Sequence, residues 1–589
     1  MVLENVRLRY VSAALLVLLV ACSGPDEKTA DAGAQTDAAA ERAAEPAAGS
    51  PASPSVRRAA VAMPEVHARD VAASVLHDGG NAVDAAVAAA FVLAVTRPEA
   101  GNIGGGGFMT LYMDGVGRFL DYRETAPNNA SPDMYLDREG NVDTDASKLG
   151  HRAVGVPGTV AGLWEAHQAY GRVPWAELLA PAVALARDGF VVSPALAEEA
   201  ETLQPRFQAT NFSAYFGALE AGKTFHQPEL AETLERIAHE GPGEFYRGHT
   251  AALIVAEMNR GGGLVKAADL VGYRPIWREP IVFDWRGYRV LSAPLPSSGG
   301  FAIAQFLKLY DLRRADFAGL PHDSAGYIHL KAEIEKRIFA DRARYLGDPD
   351  FVDVPMARLL GDEYLASRAS GIDPGRISSP ESVQPPAEGM HTTHFSILDG
   401  AGNAVSNTFT LNTSFGSGVV VTGGGFLLNN EMDDFAVAPD VPNYFGVVGN
   451  RANAIEPGKR MLSSMSPTIA LRGDAVAMVV GAMGGPAIFT TIYQVMLNLE
   501  TFGMTAAEAV AATRVHHQLL PPDLITYMAD DLLPETTVAQ LRGMGYRVEP
   551  HFSRFGDVQL IWVTGEGELQ AASDPRFSGK SAVLELPDT

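Results

Sequence analysis

The sequence predicts an α+β fold, and three observations lead to that prediction. Residues 153–345 read as mostly helical segments separated by Gly and Pro. Residues 391–412 contain two runs of alternating polar and apolar residues around a short turn, which is the pattern of a β-hairpin. The remaining C-terminal part mixes short strand-like runs with helices, one of which begins at the capping box Thr505-x-x-Glu508.

Three helices can be predicted individually. Residues 67–76 and 81–95 form a helical pair separated by two glycines, and the second helix is so rich in Ala and Val that we expect it to be buried. Residues 322–345 form a long charged helix that ends before Gly347-Asp348-Pro349.

Composition limits the class of protein. The chain has 589 residues, of which 47% are hydrophobic and 20% charged, so most of it can build a core. The formal net charge is −24, from 70 acidic and 46 basic residues. A field of that sign repels nucleic acid and suits a secreted or envelope protein, so we expect no nucleic-acid partner.

Residues 1–21 are predicted to be the signal peptide of a lipoprotein. Two arginines precede an apolar run that is too short to span a bilayer. The one cysteine of the chain follows, and Leu19-Val20-Ala21-Cys22 resembles the lipobox of bacterial lipoproteins, where cleavage precedes a cysteine that receives lipid. An ordinary signal peptide with an incidental cysteine is the alternative.

Residues 22–58 have the composition of a disordered tether, since they hold Ala, Pro, Ser, Asp and Glu with almost no large apolar side chains. Lipid on Cys22 would anchor the protein to a membrane surface without a spanning helix. We therefore expect an exported protein that is lipid-anchored at the bacterial cell envelope. Ser23 follows the cysteine. Because this position does not hold an aspartate, we expect sorting to the periplasmic face of the outer membrane.

Two motifs that bind ligands in other proteins are interpreted as structural here. The glycines at residues 104–107 are followed by neither Gly-Lys-Ser/Thr nor a helix, so we exclude a phosphate loop and expect close backbone approach instead. His516 and His517 would point in different directions on a helix, and no second ligand pair lies at zinc spacing. We expect neither a metal nor a cofactor.

The hairpin at residues 391–412 concentrates hydroxyl groups. Thr392, His394 and Ser396 share one face of the first strand. If a five-residue turn pairs Leu398 with Ala404, Thr392 lies opposite Thr410 and Asn412 falls just past the end of the second strand. Strand faces rich in Ser and Thr are also common on solvent-exposed sheets, so the hairpin alone leaves a purely structural role open.

The motifs taken together resemble those of the γ-glutamyltranspeptidase family. In chain order they are Gly104 to Phe108, Asp121-Tyr122-Arg123-Glu124-Thr125-Ala126-Pro127, Thr392-Thr393-His394-Phe395-Ser396, Thr410-Leu411-Asn412-Thr413, Leu428 to Phe435, Pro457 to Thr468, Gly484-Gly485 and Ala572-Ser573-Asp574-Pro575-Arg576. The resemblance runs from about residue 61 to the end of the chain. It implies the αββα sandwich of N-terminal-nucleophile hydrolases, with two stacked antiparallel sheets between helical layers.

The resemblance also implies that the chain cleaves itself between His391 and Thr392, giving a large subunit of residues 59–391 and a small subunit of residues 392–589 that associate as a heterodimer. A threonine hydroxyl is a weak nucleophile unless a base removes its proton. A free α-amine has a pKa of roughly 8 and can serve as that base, whereas an amide nitrogen cannot. Cleavage would therefore create nucleophile and base together.

The implied reaction is transfer of a γ-glutamyl group from glutathione or another γ-glutamyl compound to water, an amino acid or a dipeptide. Thr392 would be the nucleophile and Thr410 would orient it, while the backbone N–H groups of Gly484 and Gly485 would form the oxyanion hole. Arg123, with a fork of donors suited to two oxygens, would bind the α-carboxylate of the glutamyl group.

The same resemblance places further residues around the glutamyl group. Ser463 and Ser464 would add hydroxyl donors to the α-carboxylate, and the α-ammonium would lie against Asn412, Glu431 and Asp434.

Three points stay open from the sequence. Many bacterial members have a lid tyrosine over the nucleophile, where this chain has Phe445 with Tyr444 one residue earlier. A related acylase of the cephalosporin-acylase type, acting on glutaryl amides, could use the same hairpin. An unprocessed lipoprotein that only binds ligands is the alternative from a different class.

Overall fold

A computed structural model describes residues 57–143, 145–379, 392–436, 451–551 and 554–587. The predicted signal peptide, Cys22, His391, and the lid residues Tyr444 and Phe445 lie outside the described residues. So does the predicted tether up to residue 56, whereas residues 57 and 58 already belong to a strand. That strand begins earlier than predicted because residues 57 and 58 pair with Leu586 and Glu585 near the C-terminus.

The strands are short to medium in length. In chain order they are β1 (Arg57–Met63), β2 (Gly106–Met113), β3 (Val116–Tyr122), β4 (Phe190–Val191), β5 (Thr224–Phe225), β6 (Ile276–Arg278), β7 (Ile281–Trp285), β8 (Tyr288–Ser292), β9 (Thr393–Leu398), β10 (Ala404–Thr410), β11 (Thr468–Arg472), β12 (Ala475–Ala482), β13 (Val515–His516), β14 (Leu524–Tyr527), β15 (Arg547–Pro550), β16 (Val558–Val563), β17 (Leu569–Ser573) and β18 (Lys580–Leu586).

The α-helices are concentrated before residue 371. In chain order they are α1 (Val66–His77), α2 (Ala82–Thr96), α3 (Thr159–Tyr170), α4 (Trp175–Asp188), α5 (Pro194–Leu203), α6 (Phe212–Phe216), α7 (Pro228–Glu240), α8 (Pro242–Arg247), α9 (His249–Gly261), α10 (Ala267–Gly272), α11 (Gly299–Leu312), α12 (Arg314–Phe317), α13 (Ala325–Tyr345), α14 (Met356–Leu359), α15 (Asp362–Ser370), α16 (Ala487–Phe502), α17 (Ala506–Ala511) and α18 (Glu535–Met544). Among the described residues, no helix combines the length and the apolar character needed to cross a bilayer.

Two large sheets organise the strands. The seven-stranded sheet has the order β18-β1-β9-β10-β2-β3-β6, and the six-stranded sheet has the order β17-β16-β12-β11-β8-β7. Neighbouring strands in both sheets are antiparallel. Because β9 and β10 lie in the middle of the seven-stranded sheet, the predicted hairpin is held by partners on both sides.

Three hydrophobic layers run through the molecule. One joins the seven-stranded sheet to helices on its outer face, where Phe91 of α2 packs in the same core as Ile397 of β9. A second joins the six-stranded sheet to α11, α13 and α16, and a third, with Ala60 and Ile469, lies between the sheets. This order of helix, sheet, sheet and helix confirms the predicted αββα sandwich.

The predicted helices are confirmed with small shifts at their ends. Every residue of α2 is buried, and Asn81 caps it by accepting from the N–H groups of Val83 and Asp84. The prediction of a mostly helical region over residues 153–345 is confirmed, since α3 to α13 lie there, and only the short strands β4 to β8 interrupt the helices. Strands β7 and β8 alternate for only five residues each around a turn at Arg286-Gly287, too short a pattern to stand out.

Candidate active site

Thr392 lies immediately before β9 and lines a small cavity. The lining residues are Arg123, Arg342, Thr392, Thr410, Asn412, Glu431, Asp434, Ser463, Ser464, Met465, Gly485, Pro486 and Ile488. Nine predicted site residues therefore meet around one space. Gly484 is next to this lining, and His391 is outside the described residues.

The register of the β9–β10 hairpin is confirmed. Leu398 pairs with Ala404 and Thr393 pairs with Phe409, so the next pair in this register is Thr392 opposite Thr410. The prediction that the glycine run allows close backbone approach is also confirmed, because a Cβ on Gly105 would lie 2.0 Å from the carbonyl oxygen of Thr410. The glycine run thus lets the neighbouring backbone approach the hairpin beside the cavity.

The polar face of the hairpin is buried between the two sheets. Ser396 Oγ donates to the carbonyl oxygen of Gln559, and Ser406 Oγ donates to that of Val480, both on the second sheet. His394 Nδ1 lies 2.8 Å from Thr408 Oγ1, and burial lowers the pKa of His394 to about 3. The hydroxyls of Ser396 and Ser406 therefore join the two sheets beneath Thr392, and a neutral imidazole is buried beside them, instead of facing solvent.

Arg123 is fully buried and binds two of the predicted ammonium ligands. Its Nη1 donates to Glu431 Oε1 and its Nη2 donates to Asp434 Oδ2. Its Nε donates to the carbonyl oxygen of Met461 at 3.3 Å, so all three parts of the guanidinium are held. The basic and acidic halves of the predicted glutamyl pocket are thus in direct contact.

Three carboxyl groups surround this arginine. Burial raises the pKa of Glu124 to about 7 and raises the pKa of Glu431 well above its ordinary value, while the charge of Arg123 opposes both shifts. Burial also raises the pKa of Asp434 against the influence of Arg123. An ammonium group placed beside these carboxyls would favour their charged forms.

Asn412 occupies a backbone conformation that positions its side chain at the cavity. Its φ is +79°, in the left-handed region that asparagine tolerates better than most residues. Its N–H donates to Thr410 Oγ1 at 2.8 Å, and its Nδ2 donates to the carbonyl oxygen of Asn430 at 2.9 Å. The turn after β10 therefore connects Thr410 to the acidic segment.

Ser463 is held by the loop before α11. The N–H of Ser463 donates to the carbonyl oxygen of Pro296, and the N–H of Ser298 donates to the carbonyl oxygen of Ser463, both at 2.8 Å. Ser463 Oγ accepts from the N–H of Met465 at 3.1 Å. Accepting that bond leaves the hydroxyl proton of Ser463 available for another acceptor.

Gly484 and Gly485 form the turn between β12 and α16. Their φ values are +134° and +50°, which favour glycine at both positions. In the described part of the chain neither backbone N–H has an acceptor, while their carbonyl oxygens accept from Ala487 and Ile488. The two N–H groups stand at the positive end of the α16 dipole, which suits an anion.

Sequence analysis missed Arg342, which lies on α13 and reaches the cavity. Its Nη2 donates to Ser464 Oγ at 3.2 Å across 122 residues of chain. The arginines on this charged helix carry no local motif, so only the contact in space distinguishes Arg342.

The placement of the two histidines on a helix was also wrong. Residue His516 belongs to β13, where its Nδ1 lies 3.0 Å from Thr490 Oγ1. The Nδ1 of His517 lies 2.6 Å from the carbonyl oxygen of Leu524. Burial lowers the pKa of His516 to about 3 and that of His517 to about 4, so both are structural members of the core.

Comparison with known proteins supports the family resemblance along nearly the whole chain. A family model described as Gamma-glutamyltranspeptidase matches residues 68–584. A glutathione hydrolase proenzyme of Pseudomonas aeruginosa is 56% identical over 527 residues, covering 89% of this chain and 94% of the relative.

Solved structures extend the comparison to the fold. A chain of the γ-glutamyltranspeptidase of Pseudomonas nitroreducens, complexed with L-DON, is 54% identical with a TM-score of 0.54, covering 55% of this chain and 96% of that one. A cephalosporin acylase of Bacillus halodurans is 27% identical with a TM-score of 0.77, covering 91% of this chain and 98% of that one.

Proposed function

This chain belongs to the γ-glutamyltranspeptidase family, and on that premise we propose that it is a γ-glutamyltransferase and glutathione hydrolase whose nucleophile is Thr392. The observation that carries the proposal is the single cavity in which Thr392 meets a glycine turn, two serines and the buried cluster of Arg123 with Asp434. A nucleophile, oxyanion donors and both signs of charge for an amino-acid head group are thus within one small space.

Maturation comes first in this proposal. Thr392 Oγ attacks the carbonyl carbon of His391, and its proton passes to the Thr392 nitrogen as the peptide C–N bond breaks, which frees the α-amine and leaves an ester on Oγ. Water then hydrolyses that ester and releases the carboxylate of His391 and the hydroxyl of Thr392. That amine then serves as the base for catalysis. The strands support a stable heterodimer after cleavage, because β1 and β2 of the large fragment flank β9 and β10 of the small fragment in one sheet.

Catalysis follows as two acyl transfers. Thr392 Oγ bonds to the γ-carbonyl carbon of the donor while its proton passes to the α-amine. The oxyanion is stabilised by the N–H groups of Gly484 and Gly485, each worth about 3 to 4 kcal/mol of barrier. The C–N bond then breaks and the leaving amine takes the proton. Water, an amino acid or a dipeptide attacks the ester and releases Thr392.

Recognition of the donor rests on charge. Arg123, Ser463 and Ser464 bind the α-carboxylate of the glutamyl group, and the α-ammonium binds Asn412, Glu431 and Asp434. Arg123 already contacts Glu431 and Asp434, so the site holds both signs of charge, shielded from water, before a zwitterionic head group binds. Thr410 orients the nucleophile from the neighbouring strand.

The N-terminus supports a proposal about location. Cleavage before Cys22 and lipid attachment there would anchor the enzyme to the cell envelope, at the periplasmic face of the outer membrane. Mass spectrometry of the N-terminal peptide tests this, since an unmodified cysteine or a different mature terminus contradicts it. A Cys22→Ser variant should move to the soluble fraction with its activity retained.

Processing is tested on a denaturing gel with N-terminal sequencing. Wild-type protein should give two fragments, the smaller beginning at Thr392, whereas Thr392→Ala should remain one chain. Thr393→Ala is the matched control, because its hydroxyl has no hydrogen-bond partner in the described structure and faces the opposite side of the strand. A wild-type protein that stays a single chain would favour the alternative of an unprocessed binding protein.

Activity is tested with a chromogenic γ-glutamyl anilide and a glutaryl anilide. Turnover of the γ-glutamyl compound, and release of glutamate from glutathione, are the expected results. Processed protein that cleaves only the glutaryl amide would replace this proposal with the acylase alternative, for which the cephalosporin acylase fold is the precedent.

A further inference from the structure

Arg342 belongs to the last turn of α13 and is 5% exposed, yet it lines the same cavity as Thr392. It lies in the large fragment, whereas both serines of the glutamyl pocket lie in the small one. An arginine buried at this place needs hydrogen-bond partners, and their identity indicates its role.

Two of these partners are serine hydroxyl groups. Arg342 Nη2 donates to Ser464 Oγ at 3.2 Å, and its Nε donates to Ser298 Oγ at 3.0 Å. Ser298 Oγ in turn donates to the carbonyl oxygen of Ser463 at 2.8 Å. Arg342 therefore touches one serine of the pocket directly and reaches the backbone of the other through Ser298.

The direction of these bonds matters. A guanidinium has only donors, so Ser464 Oγ must be the acceptor in its bond with Arg342. The hydroxyl proton of Ser464 then stays available to a carboxylate in the cavity. Without Arg342, that hydroxyl could rotate and use its proton elsewhere.

The charge of Arg342 also acts on the pocket. Burial raises the pKa of Asp434, and the charges of Arg123 and then of Arg342 oppose that rise. Arg123 donates to both Glu431 and Asp434, so its charge is largely matched by acidic groups. Arg342 contributes a second positive charge on the serine side of the cavity, where an anion would lie.

We propose that Arg342 is a positioning residue that turns the Ser464 hydroxyl, and through Ser298 the Ser463 backbone, toward the α-carboxylate of the γ-glutamyl donor. This inference rests on the proposed function. It predicts that Arg342 acts on donor affinity through Ser464 and has little influence on the reaction of bound donor.

The test is steady-state kinetics with the γ-glutamyl anilide on processed protein. Arg342→Met should raise KM about tenfold, the loss expected for one hydrogen bond to a charged group, and change kcat less than about threefold. Arg344→Met is the matched control, because Arg344 is exposed two residues further along the same helix and should keep wild-type values.

A double-mutant cycle separates positioning from general damage. If Arg342 acts through Ser464, adding Arg342→Met to Ser464→Ala should change KM less than about threefold further. The inference would be overturned if the KM effects of Arg342→Met and Ser464→Ala multiply in the double variant. It would also be overturned if Arg342→Met leaves KM unchanged, or lowers kcat as much as it raises KM.

Correct folding of the variants and the proposed function are tested by separate measurements. Both fragments on a denaturing gel show that a variant has folded and matured, and Arg342→Gln, which keeps a donor, replaces the Met variant if that one is unprocessed. Failure of both to process counts against the inference, since Arg342 would then serve maturation. Wild-type protein without γ-glutamyl turnover would instead defeat the proposed function before any variant is compared.

Discussion

Arg97 and Asp557 form a buried ion pair, with 3.1 Å between Nη1 and Oδ2. Arg97 follows α2 in the predicted large subunit, and Asp557 precedes β16 in the predicted small subunit. Burial raises the pKa of Asp557 to about 7, and the charge of Arg97 opposes this rise. The pair therefore joins the two fragments at a point where charge is costly unless it is matched.

Asp557→Asn should destabilise the processed enzyme by about 3 kcal/mol, because it removes the carboxylate that lies against Nη1 of the buried Arg97. The thermal midpoint of unfolding measures this. Asp474→Asn is the control, since the Arg289–Asp474 pair is on the surface and such pairs contribute about 0 to 1 kcal/mol. Equal shifts in the two variants would refute the structural role of the buried pair.

Asp434→Asn should raise KM for the γ-glutamyl anilide by about a hundredfold, since losing one member of a buried charge pair costs about 3 kcal/mol. The glutaryl anilide, which lacks the α-ammonium, serves as the internal control and should lose much less. A similar loss for both compounds would mean that Asp434 supports the position of Arg123 and does not bind the ammonium.

Gly484→Ala should lower kcat about 10² to 10³-fold with little change in KM, because the φ of +134° must change and the oxyanion donor turns with it. Gly473→Ala is the control: Gly473 has a φ of +63° in an open turn, where a Cβ meets nothing within 4 Å. It should cost about 1 kcal/mol of stability and no activity. Intact kcat in processed Gly484→Ala would remove this turn from the oxyanion hole.

Because His394 is buried, we expect the free energy of unfolding to fall in acid. Its folded pKa of about 3 lies below the usual value of about 6.5, so the unfolded chain binds the proton first as pH falls. The stabilisation is complete above about pH 6.5 and declines toward pH 3 by up to about 1.4 kcal/mol per pH unit. Thermal midpoints of His394→Gln between pH 7.5 and 4.5 should therefore show a shallower decline than wild type.

The control for this pH series is His77→Gln, at an exposed position at the end of α1. Its decline should follow that of wild type. The buried His516 and His517 remain in all three proteins, so the difference between the slopes isolates His394. Parallel slopes for His394→Gln and wild type would show that the imidazole does not titrate as its burial requires.

Much of the hairpin was predictable from local pattern. The alternation of Phe395 and Ile397 with polar residues determines which face meets the helices, and a five-residue turn sets the pairing of Leu398 with Ala404. The uninterrupted apolar character of α2 likewise determined its burial. These features depend on neighbours within a few residues, so side-chain period and turn length are sufficient to specify them.

Only the tertiary structure decided where the polar face of the hairpin lies and which side chains complete the cavity. Ser396 could have faced water, but the second sheet covers it and the carbonyl oxygen of Gln559 accepts a hydrogen bond from its hydroxyl. Arg342 meets Ser464 because α13 packs against the six-stranded sheet, whose strand β11 begins four residues after Ser464, and no local pattern encodes a contact across 122 residues. Burial in such long-range contacts, and with it the pKa of a group such as His394, is set by how distant parts of the chain pack together.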